Sequence, residues 1–168
     1  AGLIKAQKKL ATVYENDTAH QVDIGYVGEV TEINTGIIAD LLDQGYVPVI
    51  APIGMGEHGE SYNINADYVA AEIAGALHAE KMLLLTDVEG VYKDFADKGS
   101  LISQLCMAEA REYICSGVIE GGMIPKVEAC LRALEAGAHK AHIIDGRLTH
   151  SIILEIFTSR GIGTMVLP

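Results

Sequence analysis

The sequence predicts an α/β fold with a mostly parallel central sheet and helices on both of its faces. Short aliphatic runs, such as residues 47–51 and 82–85, have the length and composition of buried strands. Segments in which apolar residues recur at helical spacing separate these runs, which is the order expected of β-α-β units. The chain has 168 residues and 49% of them are hydrophobic, so one sizeable core is expected.

The start of the chain differs from this pattern. Apolar and polar residues approximately alternate in 9–14 and 22–30, as in antiparallel strands with one solvated face. We therefore expect an antiparallel excursion, an extended or hairpin region over about residues 1–33, followed by an α/β core over about 34–168. No linker divides the chain, so both parts are assigned to a single portion of one fold.

Helices and strands alternate through the predicted core. Gly45 ends the first helix, and Gly137 is the expected C-cap of the fourth. The predicted helices are 37–42, about 65–77, 107–116, 125–135 and 151–159. The predicted strands are 46–51, 81–86, 141–144 and 164–167.

Composition excludes several classes of protein. A net charge of −11 argues against a nucleic-acid surface, which needs clustered lysine and arginine. The aliphatic runs are far shorter than the ~20 residues of a membrane span, and no secretory signal pattern is visible. Cys106, Cys115 and Cys130 are odd in number and lack C-x-x-C spacing, which favours a reducing compartment such as the cytoplasm. His139 and His142 fall on opposite faces of their predicted strand, so no metal site is expected.

Two predicted helices begin with residues that suit an anion. Residues 63–67, Asn-Ile-Asn-Ala-Asp, bring two amides and a carboxylate to one helix start, and 121–126 bring two glycines, a proline and a lysine to another. Backbone N–H groups at a helix N-terminus favour phosphate. The two helix starts together predict a clamp on a phosphate group.

These residues also have structural interpretations. Asn65 is well suited as an N-cap, and Asp67 in the first turn complements the helix dipole. Asn63 lies outside the helix, where capping needs no second amide, which favours binding of a substrate carboxylate or amide. A lysine near a helix start faces positive partial charge, so the placement of Lys126 favours an anion-binding role.

Three polar segments follow predicted strands. Thr86-Asp87 and Asp145-Gly146 each come directly after an aliphatic run, and 63–67 come after the strand ending near Pro52. In open α/β sheets, ligands bind outside the carboxyl ends of the strands. We therefore expect the ligand-binding and catalytic residues at these strand exits.

Three motifs resemble the acetylglutamate kinases of the amino-acid kinase family. They are Asn-Ile-Asn-Ala-Asp at 63–67, Leu-Leu-Thr-Asp-Val-Glu-Gly at 84–90 and Gly-Met-Ile-Pro-Lys-Val at 122–127, supported by 25–30 and a carboxyl-terminal block. The resemblance covers essentially the whole chain. It implies a carbamate kinase-like three-layer sandwich and transfer of phosphoryl from ATP, with Mg²⁺, to the side-chain carboxylate of N-acetyl-L-glutamate on the route to arginine.

The resemblance also implies residue roles. Lys126 would stabilise the transferring phosphoryl group, Asp67 would organise catalytic lysines, and Asn63 and Asn65 would bind the substrate. A carboxylate with a pKa of ~4.3 is already an anionic nucleophile, so no general base is required. The residues implied at the nucleotide site are Asp87, Val88, Glu89, Gly90, Val91, Tyr92, Val118, Ile119 and Glu120.

Residues 141–147 and 154–165 are similar to the arginine-inhibited members of the family. Feedback inhibition is implied, with His142, Glu155, Gly161 and Lys93 as candidate contacts of arginine. A glutamate is a natural partner for the guanidinium group. The structural alternatives are a strand histidine with satisfied ring nitrogens and a solvated helix glutamate.

The chain lacks the family's amino-terminal third, where a second lysine, a paired-glycine loop and a substrate-binding arginine are expected. We therefore expect little kinase activity from this polypeptide alone. The resemblance further implies homodimers or hexamers, raises control by a PII-type nitrogen-sensing protein, and places a plant or algal member in the plastid stroma. Two alternatives stay open: a related kinase of aspartate, glutamate, carbamate or UMP, and a non-catalytic module that binds a nucleotide or arginine.

Overall fold

The computed structural model describes residues 2–15, 18–159 and 161–168. These residues divide into two units, Ala1–Val69 and Ala70–Pro168. Within the described residues, none of the helices has the length and apolar character of a membrane span. The assignment of the whole chain to one carboxyl-terminal portion of the fold stays a prediction.

The first unit is a closed barrel of four strands. β1 (Ile4–Glu15) and β2 (Thr18–Ile33) pair antiparallel into a long hairpin, which confirms the interpretation of the alternating segments. β3 (Ile53–Met55) runs parallel to β1, and β4 (Ser61–Asn63) runs parallel to β2. β3 and β4 pair antiparallel and close the barrel.

α1 (Thr35–Asp43) follows the hairpin and confirms the first predicted helix. Asn34 caps it, because its side-chain oxygen accepts a hydrogen bond from the N–H of Gly36 at 3.2 Å. Gly45 follows with a φ of +80°, a left-handed conformation that terminates a helix at little cost for glycine.

The strand predicted at residues 46–51 is wrong. The segment forms no strand, and Pro48 and Ile50 are only partly buried, while Val47 is 87% and Val49 95% exposed. Pro48 and Pro52 explain the difference, because proline has no N–H to donate to a ladder and restricts the residue before it. The aliphatic composition of the run was not sufficient to predict pairing.

The second unit contains a four-stranded sheet in the order β5-β7-β8-β6. The strands are β5 (Met82–Thr86), β6 (Gln104–Cys106), β7 (Ala141–Asp145) and β8 (Thr164–Leu167). β5 and β7 are parallel, as are β6 and β8, while β7 and β8 are antiparallel. The three longer strands were predicted, whereas β6, β3 and β4 have three residues each and were missed.

Helices accompany this sheet. They are α2 (Ala66–Ala76), which begins in the first unit, α3 (Met107–Cys115), α4 (Met123–Glu135) and α5 (Ser151–Phe157). α4 packs against β5, β7 and β8, and α5 packs against β7. All four helices lie where the sequence predicted them, within a few residues at each end.

The core of the second unit lies between α4 and the sheet. α4 buries residues at positions 127, 130, 131 and 134, the i, i+3, i+4, i+7 spacing of an apolar helical stripe. β7 buries Ile143 and Ile144 with no exposed area, and because consecutive strand residues point to opposite faces, both faces of this strand are covered. Full burial of such a side chain contributes about 1.5–3 kcal/mol, so this interface fixes the loops that leave the sheet.

Candidate functional site

A cavity of about 810 Å³ opens in the second unit. Two segments line it, residues 90–95 after β5 and residues 116–121 after α3, together with Met123 at the start of α4. Its volume is typical of sites for small molecules and cofactors. The cavity therefore brings together Gly90, Val91 and Tyr92 with Val118, Ile119 and Glu120, which are six of the nine residues predicted for nucleotide binding.

Backbone hydrogen bonds hold the first segment. The N–H of Ile102 donates to the carbonyl of Val91 at 2.8 Å, and the N–H of Lys93 donates to the carbonyl of Ser100 at 3.1 Å. Ser100 also accepts from the N–H of Asp94 through its hydroxyl at 3.0 Å. The loop between β5 and β6 is therefore folded back on itself and presents an ordered wall to the cavity.

Two aromatic rings and a lysine form a cluster on this wall. The rings of Tyr92 and Phe95 meet edge to face, with centroids 5.6 Å apart and planes at 83°. The Nζ of Lys98 lies 4.7 Å from each ring centroid, within cation–π distance. Phe95 lines the cavity although 65% of its surface is exposed, so the cluster places an aromatic ring at the edge of this space.

Glu89 joins the cluster through hydrogen bonds. Its Oε2 accepts from the hydroxyl of Tyr92 and, at 3.3 Å, from the Nζ of Lys98. These two donors lower the pKa of the Glu89 carboxyl. Burial is the main cause that raises the pKa of Tyr92, and the hydrogen bond to Glu89 raises it further, to about 12. The tyrosine therefore stays neutral at physiological pH.

The predicted strand exits after β5 and β7 lie side by side. Thr86 and Asp145 are register partners at the carboxyl ends of these parallel strands. Arg147 forms a fork to Asp145, with Nε 3.0 Å from Oδ1 and Nη2 2.8 Å from Oδ2. This guanidinium lowers the pKa of Asp145, so the carboxylate is compensated by charge at the sheet edge.

The start of α4 adds an anion-binding element. Gly122 is its N-cap and provides no side-chain hydrogen bond to the first turn. A Cβ at Gly121 or Gly122 would meet no atom within 4 Å, so the space beside this helix start is open. Gly121 and Met123 line the cavity, and Lys126 lies half-buried in the first turns. The helix N-terminus therefore faces the cavity with the polarity that favours phosphate.

The motif at 63–67 lies in the first unit. Asn65 caps α2, because its Oδ1 accepts from the N–H groups of Asp67 at 2.8 Å and Tyr68 at 3.3 Å. Asn63 is the last residue of β4, paired with Val27 of β2, and its side chain takes no part in that cap. Asn63 thus ends a strand that was not predicted, with its exposed side chain available to a ligand.

The candidate arginine contacts are partly brought together. The Nδ1 of His142 lies 2.7 Å from the Oε1 of Glu155, and both side chains are buried. A Cβ at Gly161 would lie 2.7 Å from the Oε2 of the same glutamate. Lys93, in contrast, lines the cavity described above.

Glu155 is not a solvated helix residue, since it is only 8% exposed. Its Oε2 accepts from the N–H groups of Ile162 at 2.6 Å and Gly163 at 3.2 Å. Burial by itself would raise the pKa of Glu155, but these N–H groups and the His142 ring more than offset it and lower the pKa. The Nε2 of His142 has no hydrogen-bond partner among the described residues, so the alternative of a fully satisfied histidine is also wrong.

Sequence reasoning missed several residues of the cavity. Phe95 lines the cavity, and Lys98 lies over its ring without lining the cavity itself. Neither residue gave a motif signal, although the chain has only two phenylalanines and one of them falls in a loop after a strand exit. Ser116 and Gly117 gave no signal either. These positions depend on how two loops fold toward each other, which spacing along the chain does not encode.

Known proteins match this chain over most of its length. Residues 3–145 match the model of the Amino acid kinase family. The acetylglutamate kinase of Moorella thermoacetica is 56% identical over 166 residues, which are 99% of this chain and 56% of that protein. The chain thus spans about half the length of the curated relatives that it matches.

Solved structures agree with that match. An N-acetylglutamate synthase from Neisseria gonorrhoeae, complexed with coenzyme A and L-arginine, has a TM-score of 0.80 at 26% identity over 99% of this chain and 37% of that chain. A carbamate kinase from Giardia lamblia, bound to AMP-PNP, has a TM-score of 0.65 at 19% identity over 95% of this chain and 52% of that chain. The second likeness concerns the fold alone and confirms the predicted carbamate kinase-like α/β class. With most of its length matching the family model, the chain belongs to the amino acid kinase family.

Proposed function

We propose that this chain is the nucleotide-binding part of an acetylglutamate kinase, which transfers a phosphoryl group from ATP to the side-chain carboxylate of N-acetyl-L-glutamate. One observation carries the proposal. In a chain 56% identical to an acetylglutamate kinase, residues 90–92 and 118–120 from the two predicted nucleotide segments line one cavity of about 810 Å³. Two sequence segments separated by some 25 residues converge on a space of the right size for a nucleotide.

The cluster of Tyr92, Phe95 and Lys98 is called the aromatic wall of the cavity. The nucleotide is proposed to bind with its base near this wall and its phosphates toward α4. Phe95 supplies an exposed ring held by Tyr92 and Lys98, and ring stacking tolerates a purine. The N-terminus of α4 supplies N–H groups and positive partial charge. Mg²⁺ entering with ATP would neutralise part of the phosphate charge.

The chemistry needs positioning and charge neutralisation more than proton transfer. The acceptor carboxylate is ionised at neutral pH, so it attacks without a general base. Negative charge spreads over the equatorial oxygens of the transferring group, and a preorganised lysine there is worth on the order of 3 kcal/mol. Lys126 is proposed for this role, and Asp67 for orienting catalytic lysines.

The acetylglutamate is proposed to bind through the amides of Asn63 and Asn65. Capping of α2 uses only the Oδ1 of Asn65, which leaves the NH₂ group of that amide to donate to a ligand. Asn63 ends β4 with an exposed side chain that donates and accepts. Either amide suits a substrate carboxylate or the acetamido group.

Arginine is proposed as an effector. The neisserial synthase, whose structure is a complex with L-arginine, shares the fold of this chain, which supports this proposal. His142, Glu155 and Gly161 lie together, with Lys93 as a further candidate contact. Because Glu155 already accepts three hydrogen bonds, a guanidinium group must share or displace them. Binding of arginine measured by calorimetry, with the nucleotide site intact, tests this point.

Assembly and control stay predictions. Homodimers or hexamers, and control by a PII-type protein, are proposed from the resemblance alone. We also expect the 168-residue polypeptide by itself to phosphorylate acetylglutamate slowly or not at all. Sedimentation of the intact protein, meaning a polypeptide of the relatives' full length that contains this chain, tests its oligomeric state with and without arginine.

Calorimetric binding of Mg·AMP-PNP tests the nucleotide site. Val118 lines the cavity, and Val118→Glu adds a negative charge where a triphosphate is proposed to bind. We expect this variant of the intact protein to bind at least about tenfold more weakly, because like charges repel in a partly enclosed site. Val49→Glu is the matched control, since Val49 is 95% exposed. Equal affinity in the wild type and Val118→Glu would contradict a nucleotide site in this cavity.

A further inference from the structure

Thr164, the first residue of β8, is completely buried. A buried hydroxyl is costly unless it is hydrogen-bonded on both sides. Its Oγ1 accepts from the N–H of Val91 at 2.8 Å and donates to the carbonyl of Ile102 at 2.6 Å. One hydroxyl therefore joins both ends of the loop that forms the aromatic wall of the cavity.

Gly90 makes this contact possible. A Cβ at position 90 would lie 2.5 Å from the Oγ1 of Thr164 and 3.0 Å from its backbone nitrogen. Any side chain at position 90 would push the loop away from β8 and lengthen the bond to Val91. Gly90 and Val91 both line the cavity, so this contact sets the position of part of its wall.

Contacts of the two residues directly before Thr164 fix its position. The carboxylate of Glu155 accepts from the N–H groups of Ile162 and Gly163, the two residues directly before Thr164. A Cβ at Gly163 would lie 2.2 Å from the carbonyl oxygen of Ile143, so β8 begins in close contact with β7. Thr164 is thereby anchored to the core of the second unit through the residues directly before it.

We infer that Thr164 is a positioning residue for the nucleotide, because its hydroxyl holds the Gly90–Val91 wall of the cavity in the geometry that binds. Thr164 is not among the residues that line the cavity, so it acts through Val91 and not by contact with a ligand. The inference rests on the proposed function only for the identity of that ligand.

Thr164→Val and Thr164→Ser in the intact protein test the inference. Valine keeps the shape and removes the hydroxyl, whereas serine keeps the hydroxyl. We expect Thr164→Val to bind Mg·AMP-PNP about tenfold more weakly and the Val91 amide to exchange about tenfold faster, since one hydrogen bond contributes roughly this factor. Thr164→Ser should remain within about threefold of the wild type in both measurements. Thr149→Val, at an exposed position, is the matched control.

Wild-type affinity together with wild-type exchange at Val91 in Thr164→Val would overturn the inference. If the wild type binds no nucleotide, the proposed function fails, and the exchange of Val91 still decides whether Thr164 holds the wall. If Thr164→Val does not fold, Gly90→Ala perturbs the same contact from the loop side. Slower nucleotide release or unchanged binding in Gly90→Ala would then count against the inference, and weaker binding with faster exchange would support it.

Discussion

Replacing Glu155 by leucine should destabilise the protein more than replacing it by glutamine. Leucine leaves three donors without their acceptor: the N–H groups of Ile162 and Gly163 and the Nδ1 of His142. A carboxylate only accepts hydrogen bonds, so this Nδ1 carries the proton and needs an acceptor. Glutamine keeps one oxygen and loses the charge.

The size of the effect follows from these contacts. A buried donor left without a partner costs about 1–3 kcal/mol, so three of them would cost about 3–9 kcal/mol if each stayed dry. Ile162 is only half-buried, and water can replace part of what it loses. We therefore expect a loss of about 3–5 kcal/mol for Glu155→Leu, the cost typical of breaking a buried pair, and about 1–2 kcal/mol for Glu155→Gln.

Thermal unfolding followed by circular dichroism measures this difference. For a chain of this size, 1 kcal/mol shifts Tm by about 2–4 °C. Glu155→Leu should therefore lower Tm by about 6–20 °C, and Glu155→Gln by about 2–8 °C. Glu112→Gln, on the exposed side of α3, should change Tm by no more than about 2 °C. A leucine variant that melts with the wild type, or a glutamine variant that melts below the leucine variant, would refute the reasoning.

The pH dependence of the stability tests the role of the Glu155 carboxylate independently. The pKa of Glu155 is lower in the folded protein than its ordinary value of 4.5. Its contribution to stability is therefore complete above pH 4.5 and is lost as the pH falls through the folded pKa. Glu155→Gln should therefore reduce the fall in Tm below pH 4.5. An equally steep fall in the wild type and in Glu155→Gln would contradict a lowered pKa of Glu155.

Three further outcomes are expected. In an absorbance titration, Tyr92 should ionise at about pH 12, and Tyr92→Phe should remove that step; identical titration curves for the wild type and Tyr92→Phe around this pH would contradict the burial of Tyr92. Gly75→Ala should lower stability by about 1–2 kcal/mol in urea unfolding, because its Cβ would lie 2.3 Å from that of Ala136, which outweighs the better helix propensity of alanine. Lys126→Ala in the intact protein should lower kcat about 100-fold with a smaller change in the KM for ATP, and the reverse pattern would place Lys126 outside the transition state.

Local patterns predicted the elements whose own sequence carries the apolar pattern of a buried strand or helix. β7 and β8 are aliphatic strands, and α4 carries an apolar stripe that needs no knowledge of its partner. The cap at Asn65 was likewise predictable, since a side chain within two residues satisfies the helix start. Such features depend on neighbours a few residues away, which a sequence displays directly.

Other features depend on contacts that spacing does not encode. Residues 46–51 have the composition of a buried strand, yet Pro48 and the surrounding structure leave Val49 almost fully exposed. The bond between Val91 and Thr164 joins residues 73 positions apart, and the resemblance of residues 154–165 gave no role to the threonine. The buried state of Glu155 was missed for the same reason, because a charged residue on a short helix resembles a solvated one until its partners are known.

The resemblance supplied what local patterns did not. It assigned nine residues to a nucleotide site, and six of them line the same cavity. It did not reveal Phe95 and Lys98, which complete the aromatic wall. The roles of Asn63, Asp67 and Lys126 stay predictions that kinetic measurements will decide.

Formation of acyl phosphate, trapped as the hydroxamate, tests the central claim most directly. The intact protein with Mg·ATP should form acetylglutamyl hydroxamate from N-acetyl-L-glutamate, with kcat/KM at least about 100-fold above that for aspartate or glutamate, since an acceptor site that reads the acetamido group penalises its absence. Carbamate and UMP, followed by release of ADP, should give no turnover above background. Preference for any of these acceptors over N-acetyl-L-glutamate, or no product with a correctly folded protein, would contradict the account.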